Sequence, residues 1–152
     1  MRRSDREITD DAQIEAILMR ATVCRLAMCD EGRPYIVPLN FGYQAKRLFF
    51  HTAVQGRKLD IIQRNESVCF EVESDNNRII ESSEACGWSM RYASVIGFGR
   101  ARLIDDPAQK RAALDIIMRH YSDRSYTYPD DVLAKTAIIR IDIEGMTGKR
   151  KP

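Results

Sequence analysis

Apolar and polar side chains alternate along several short segments of this chain, and this two-residue period constrains the fold more than any other feature. In Ser67–Glu73 the apolar positions are Val68, Phe70 and Val72. Because successive side chains of a β-strand point to opposite faces, such a segment buries one face only. Strand-like patterns also cover Thr22–Met28, Pro34–Tyr43, Arg47–Thr52, Arg91–Ile104 and Ala137–Ile143. The sequence therefore predicts a sheet of about six strands.

Three helices are predicted around this sheet. The first spans residues 10–20, after an acidic N-cap in Thr9-Asp10-Asp11, and the second spans Arg57–Arg64. The third opens at Asp106-Pro107, with Pro107 at the first helical position, which proline suits. Its predicted buried stripe consists of Ala112, Leu114, Ile117 and Met118. Residues 74–87 are polar and predict a loop. We expect one α+β domain, mainly β, over residues 1–152.

Composition narrows the class of protein. The chain has 152 residues, 44% hydrophobic and 30% charged, with a formal net charge of +2. These values argue against disorder and give no electrostatic reason to expect a nucleic acid or membrane partner. The charged start lacks an apolar leader and no apolar run approaches 18 residues, so we expect a cytoplasmic protein. The basic ends, 1–6 and 149–152, are typical of solubilising tails.

The four cysteines show no CxxC spacing, and only two histidines, His51 and His120, could join them as ligands. We therefore predict no metal site. Three cysteines lie in apolar strand-like segments, where free cysteine behaves as a small buried hydrophobe: Cys24, Cys29 and Cys69. Cys86 lies in the polar loop, and we expect it to be exposed.

The charges of Gly56-Arg57-Lys58 are unfavourable for the helix that is predicted to begin there. Two cations stand in the first turn of the second predicted helix, where the helix dipole disfavours positive charge. A bound anion reverses that penalty, because free backbone N–H groups and a glycine let a phosphate approach closely. The alternative is that Arg57 and Lys58 are two solvated surface cations.

Two prolines interrupt the strand-like run Pro34–Phe41. Proline cannot donate to a sheet ladder, so Pro34 and Pro38 predict an edge strand or a bulge. Backbone groups left unpaired there need water or a ligand, and a planar heterocycle with donors and acceptors on its rim could use them. The alternative is an ordinary edge strand that proline protects from aggregation.

His51 and two glycines complete the unusual positions. His51 ends an apolar strand, where it is either a catalytic group or a buried histidine with one partner. Gly97 and Gly99 fall inside the strand Arg91–Ile104, which indicates close approach of a ligand or of another backbone. They do not form a dinucleotide-binding motif, because the third glycine and the following helix are missing.

Several motifs together resemble one known family. They are Arg2-Arg3-Ser4-Asp5-Arg6-Glu7-Ile8, Pro34–Tyr43, Phe50-His51-Thr52-Ala53, Gly56-Arg57-Lys58, Tyr92–Gly97 and Gly145-Met146-Thr147-Gly148-Lys149. In this order they resemble the nitroimidazole-resistance (Nim-type) flavoproteins, a subgroup of the pyridoxamine-5′-phosphate-oxidase-like split barrels. The resemblance spans nearly the whole chain.

The resemblance implies a fold, a cofactor and an assembly. The fold is a six-stranded antiparallel split β-barrel with flanking helices, which works as a homodimer with FMN at the interface; FAD is the alternative flavin. By resemblance, Arg57 and Lys58 hold the FMN phosphate and Lys149 reaches over from the partner. The full set of implied cofactor-binding residues is Val37, Pro38, Leu39, Asn40, His51, Thr52, Ala53, Gly56, Arg57, Lys58, Ser94 and Lys149.

Two main functions follow from the resemblance. The first is an FMN-dependent oxidoreductase that takes electrons from NADH or NADPH and passes them to a nitroaromatic or similar small electrophile, with His51 as the catalytic residue. The second is a flavin-binding dimer without efficient turnover, since no second acid or base is evident beside His51. A haem-handling relative on the same scaffold is a further alternative, because fold does not decide function.

Overall fold

A nine-stranded antiparallel sheet dominates the computed structural model, which describes residues 3–74 and 78–152. The strands are β1 (Glu7–Ile8), β2 (Cys24–Asp30), β3 (Arg33–Leu39), β4 (Gly42–Gln44), β5 (Arg47–Ala53), β6 (Ser67–Glu73), β7 (Arg78–Ile80), β8 (Ser89–Ile104) and β9 (Thr136–Lys151). The helices are α1 (Asp11–Arg20), α2 (Arg57–Arg64), α3 (Pro107–Tyr121) and α4 (Asp130–Ala134). None of these helices is long and apolar enough to cross a bilayer.

The sheet is an open barrel. Its strands follow the order β3-β2-β6-β8-β9-β5-β4, while β1 pairs with β9 and β7 with β8. The six strands of seven or more residues are β2, β3, β5, β6, β8 and β9, and every one of their pairings is antiparallel. The predicted six-stranded split barrel with flanking helices is therefore confirmed. The split lies between the two ends of the sheet, at β3 and at β5-β4.

Two apolar clusters hold the fold together. The larger fills the inside of the barrel, where α1 and α2 pack on it through Leu18 and Ile61. The smaller lies between β5, β8 and β9 and the helices α3 and α4, around Phe49 and Ile138. As predicted, acidic Asp10 caps α1, and its side chain accepts from the Ala12 N–H at 2.9 Å.

Three predicted boundaries were wrong. The segment Pro34–Tyr43 is two strands, because the Phe41 N–H donates to the Tyr121 hydroxyl at 2.9 Å instead of to a neighbouring strand. Within the predicted loop 74–87, Arg78–Ile80 is β7 and Ala85–Gly87 is a turn of 3₁₀ helix, while residues 75–77 lie outside the described residues. The last strand continues to Lys151, paired with β8 throughout, so residues 149–151 are sheet and not a tail.

The structure also corrects several predictions of which side chains are buried, because the position of a residue along a strand or helix decides the face on which its side chain lies. Cys24 is buried, Cys69 is half-buried and Cys86 is exposed, but Cys29 is exposed because it lies five residues from Cys24 and so on the opposite face of β2. Burial raises the pKa of the Cys24 thiol to about 12. On α3 the buried stripe uses Ala113 in place of Ala112, and Met118 is half-buried.

The strand glycines make room for neighbours within this chain. A Cβ at Gly97 would collide with the ring of Phe70, and one at Gly99 would collide with the Asp142 carbonyl oxygen. Gly99 also stands beside a register shift between β8 and β9. Of the two explanations for these glycines, close approach of this chain's own atoms is the one that the packing supports.

Candidate functional site

The N-terminus of α2 lies at the split of the barrel without a side-chain cap. Gly56 occupies the N-cap position at φ 143°, a backbone conformation that side chains disfavour. Its carbonyl accepts from the Leu59 N–H at 2.9 Å, which starts the helix. Nothing lies within 4 Å of the place where a Gly56 Cβ would stand. No side chain caps the first N–H groups of α2, which leaves them available to an anion.

The two cations of the motif differ in their surroundings. Arg57 is exposed, and its guanidinium lies over the ring of Tyr35 with 4.6 Å between the guanidinium carbon and the ring centroid. It also lies 3.7 Å from a carboxylate oxygen of Asp30. Lys58 is half-buried and makes no ion pair in the part of the chain that the structure describes. Both cations stay able to meet an anion at this helix start.

Asp30 carries the negative charge next to this pair of cations. Its carboxylate accepts from Arg64 at 2.6 Å, and this hydrogen bond, with a smaller contribution from the charge of Arg57, holds its pKa below the usual range. Asp30 is therefore ionised at neutral pH. It links the start and the end of α2 to the β2–β3 turn.

The edge strand β3 presents free backbone groups beside α2. It pairs with β2 only, and its half-buried side chains, Tyr35, Val37 and Leu39, face the barrel interior. Since proline has no N–H, Pro34 and Pro38 occupy positions that do not bond to β2. The free edge therefore offers mainly carbonyl oxygens. Asn40 follows the strand, and its side-chain amide donates to the Thr22 carbonyl at 3.4 Å.

The end of β5 is the second free edge of the split. β4 covers β5 only from Arg47 to Phe49, so the stretch from His51 to Ala53 pairs with β9 alone. His51 is exposed, which overturns the alternative of a buried histidine, and it has no hydrogen-bond partner among the described residues. Thr52 is half-buried and Ala53 is exposed. Gly56 follows Ala53 by three residues and leads directly into α2.

Ser94 and Lys149 lie elsewhere in the chain. They are paired with each other across β8 and β9, and Ser94 also pairs with Glu73 at the end of β6. The start of β6 is the end nearest α2, so about six residues of strand, or roughly 20 Å, separate Ser94 from the α2 region. In a single chain, Arg57 contacts Tyr35 on β3 and Asp30 at the end of β2, whereas Ser94 and Lys149 lie toward the other end of the sheet.

Sequence reasoning did not place Asp30 and Tyr35 in this site. Asp30 belongs to a hairpin turn, and Tyr35 is one residue of a strand, so neither carries a local signal. Only the packing of α2 against the β2–β3 hairpin brings them to Arg57. The proline pattern around Tyr35 was the one available hint.

The fold and this site together define a class of protein. It consists of split barrels in which the N-terminus of a helix, carrying two cations, lies at the opening between two strand edges that have no neighbouring strand. A family model described as pyridoxamine 5′-phosphate oxidase matches residues 10–150. The chain belongs to this family, which confirms the family resemblance inferred from the motifs.

Individual relatives agree with the family assignment. A candidate 5-nitroimidazole antibiotic resistance protein from Bacteroides thetaiotaomicron is 36% identical, over 94% of this chain and 85% of that one, with a TM-score of 0.85. An FAD and haem binding protein from Mycobacterium smegmatis shares the fold at 20% identity, over 96% of this chain and 73% of that one, with a TM-score of 0.82. An uncharacterized protein from Rhizobium meliloti is 25% identical over 92 residues, 60% of this chain and 60% of the relative.

Proposed function

We propose that this chain binds FMN at the split of its barrel and works as a flavin-dependent oxidoreductase. The observation that carries the proposal is the start of α2, which has no side-chain cap and carries two cations, Arg57 and Lys58, in its first turn after Gly56. A phosphate ester complements this arrangement because it accepts hydrogen bonds and neutralises charge at the positive end of the helix. FMN ends in such a group.

The isoalloxazine ring is assigned to the two free edges. The Val37–Leu39 part of β3 and the following Asn40 offer carbonyl oxygens to a donor on the ring rim, and the stretch His51–Ala53 of β5 is assigned to the other side of the ring. Arg57 contacts Tyr35 on β3, and Gly56 follows Ala53 by three residues, so we assign the phosphate and the flat heterocycle of one ligand to these three elements. FAD is the alternative flavin, since a relative of this fold is described as binding it.

The assembly proposed for this function is a homodimer. The outer face of the sheet exposes Ile36, Ile96 and Phe98, with 59%, 45% and 60% of each residue accessible. Register places Ala27 and Cys69 between them on the same face, so the patch is continuous across β3, β2, β6 and β8. An exposed apolar patch of this kind is typical of an interface. A second copy of the chain would cover it and supply Ser94 and Lys149 to the flavin.

The chemistry proposed is electron transfer from NADH or NADPH to a nitroaromatic or a similar small electrophile. When bound, flavin supplies the two-electron chemistry of such a reaction. The chain itself anchors the phosphate through Arg57 and Lys58 and excludes water through the dimer. His51, exposed at the split and without a partner, is the proton donor to the reduced substrate. A cytoplasmic location remains a prediction.

A flavin-binding dimer without efficient turnover is the second candidate. The observation in its favour is that His51 contacts no second acid or base by a hydrogen bond within the described residues. Catalytic histidines are commonly oriented by such a partner. The haem-handling alternative depends on a 20% identical relative and is a third outcome of the same experiment.

The visible spectrum of the purified protein and its turnover separate these functions. We expect flavin absorption bands, and faster oxidation of NADH or NADPH by the holoprotein than by the same concentration of free FMN, with further acceleration by a nitroaromatic. His51→Gln should retain flavin and lose the acceleration. A rate equal to that of free FMN would favour the binding dimer, and a Soret band would favour haem.

A further inference from the structure

A second cleft lies at the opposite end of the sheet from α2. It has a volume of about 490 Å³ and opens where β8 begins and β9 ends. Five cationic residues line it: Arg20, Arg78, Arg91, Arg150 and Lys151. This concentration of positive charge is unusual for a chain whose net charge is only +2.

The five cations lack carboxylate partners. Within residues 3–74 and 78–152, none of them has an Asp or Glu oxygen within 4.0 Å, whereas Arg25 and Arg100 elsewhere on the sheet each contact two. Asp5 lies near the cleft through Tyr92 and Arg6, but it is paired with Arg3 at 2.7 Å and Arg6 at 3.8 Å. Among the described residues, the positive charges of the cleft are therefore not neutralised by ion pairs.

Strand register forces two of these cations together. Arg78 on β7 is directly opposite Arg91 on β8. Like charges in directly opposed positions destabilise a strand pair, so this arrangement is a local cost. On the other side of β8, Arg150 is opposite Ala93 and Lys151 is opposite Tyr92. An anion bound between β7 and the end of β9 offsets the repulsion on both sides.

The cleft also offers neutral contacts. Ser74, only 8% exposed, lines it, and the Ser74 backbone N–H donates to the Ala93 carbonyl at 2.9 Å. A second cavity of about 300 Å³ shares Arg20, Ala93 and Arg150 with the cleft and is walled by Ile8 and Ile17. Because the two cavities adjoin, one ligand could place phosphates among the cations and a less polar body against the isoleucines.

We propose that this cleft binds the phosphate groups of an organic di- or polyphosphate of nucleotide size, at a site separate from Arg57 and Lys58. Arginine suits this role because its planar fork binds phosphate oxygens in pairs. The proposal does not use flavin as a ligand, although Ala93 and Arg150 lie next to Ser94 and Lys149, which the proposed dimer supplies to the flavin. Both a nicotinamide dinucleotide and a nucleoside diphosphate have the required chemistry, and the experiment distinguishes these two sources.

The test is calorimetric titration of the full-length protein with inorganic pyrophosphate. We expect binding that weakens as ionic strength rises. Arg91→Gln and Arg150→Gln should each weaken it by about tenfold or more, the loss expected for a charge-assisted hydrogen bond. Arg124→Gln, which removes the same charge from an exposed loop residue, should leave it unchanged. NADPH and ADP are then added as competitors, and the one that displaces pyrophosphate at lower concentration identifies the source.

Three results would overturn the proposal. They are no pyrophosphate binding by the wild type, equal binding by wild type and both cleft variants, and loss of FMN affinity in parallel with pyrophosphate affinity. The last would make the cleft part of the flavin site. Thermal melts test whether each variant folds. If Arg91→Gln or Arg150→Gln does not fold, Lys151→Gln is used in its place. Because the readout needs no flavin, failure of the proposed function would leave this result interpretable.

Discussion

The guanidinium of Arg57 lies over the ring of Tyr35, 4.6 Å from the ring centroid to the guanidinium carbon. This contact joins the first residue of α2 to the edge strand β3. Cations stack on aromatic faces because the ring face carries negative charge. The contact therefore holds a cation of the helix start beside the free edge of β3, so the proposed phosphate site lies next to one of the two strand edges proposed for the ring.

Asp30→Asn should strengthen FMN binding. The Asp30 carboxylate lies 3.7 Å from Arg57 and is ionised at neutral pH because Arg64 lowers its pKa. Removing it frees Arg57 for the phosphate, and exposed pairs of this kind are worth about 0.2–1 kcal/mol, so we expect a gain of up to about fivefold. Fluorescence titration with FMN measures this. Asp131→Asn on α4 is the control, and weaker binding by Asp30→Asn would contradict the assignment.

Phe98→Glu should convert the dimer into a monomer. Phe98 is 60% exposed on β8, at one end of the apolar outer face, and a buried unpaired carboxylate there would be costly. Sedimentation velocity at micromolar concentration should show a dimer for the wild type, burying at least roughly 2,000 Å². Met19→Glu is the matched control, because Met19 is 52% exposed on α1. A wild type that is monomeric with flavin bound would refute the dimer.

Tyr43→Phe should reduce stability and change its dependence on alkaline pH. The Tyr43 hydroxyl donates to Glu15 at 2.7 Å, and burial, followed by this hydrogen bond, raises the pKa of Tyr43 to about 12. We expect a loss of about 1 kcal/mol in the free energy of unfolding at neutral pH.

The sign of the pH effect follows from proton binding. Between about pH 10 and 12 the unfolded tyrosine loses its proton while the folded one keeps it, so stability falls as pH rises through this window. Urea unfolding should show a shallower fall for Tyr43→Phe, with a remainder from Tyr128 and Cys24, whose pKa values are also raised to about 12. An unchanged slope would show that Tyr43 ionises equally in both states.

Gly99→Ala should destabilise the β8–β9 pair. A Cβ at this position collides with the Asp142 carbonyl and approaches the Ile141 side chain within 2.8 Å. Overpacking of this kind costs about 1–3 kcal/mol, measurable by chemical denaturation. Gly145→Ala on the partner strand meets nothing within 4 Å and should be close to neutral. Equal stability of the two variants would show that the backbone at Gly99 relaxes freely.

The alternation of apolar and polar residues predicted those strands that have one buried face and one more exposed face. Ser67–Glu73 has the predicted bounds because Val68, Phe70 and Val72 all point into the core. The continuation of β9 beyond Ile143 was missed because its pairing with β8 holds glycine and polar residues in the sheet without an apolar alternation. Backbone pairing of this kind leaves no side-chain signal.

The candidate site could be predicted in part. Gly56-Arg57-Lys58 was identified because its charges conflict with its own helix, which is a local property. Asp30 and Tyr35 reach Arg57 only through packing of distant segments, and no sequence pattern contains that information. Likewise, register alone brings Arg78 opposite Arg91.

The most direct test of the central claim is a comparison of FMN and riboflavin binding by the wild type, Arg57→Ala and Lys58→Ala. Each variant removes a charge-assisted hydrogen bond worth about 1.5–3 kcal/mol, so FMN binding should weaken by roughly one to two decades. Riboflavin lacks the phosphate, so its affinity should barely change. Arg124→Ala, which removes the same charge from an exposed loop residue, should leave both affinities nearly unchanged. Equal losses for the two ligands, or no loss for either, would remove Arg57 and Lys58 from the phosphate site.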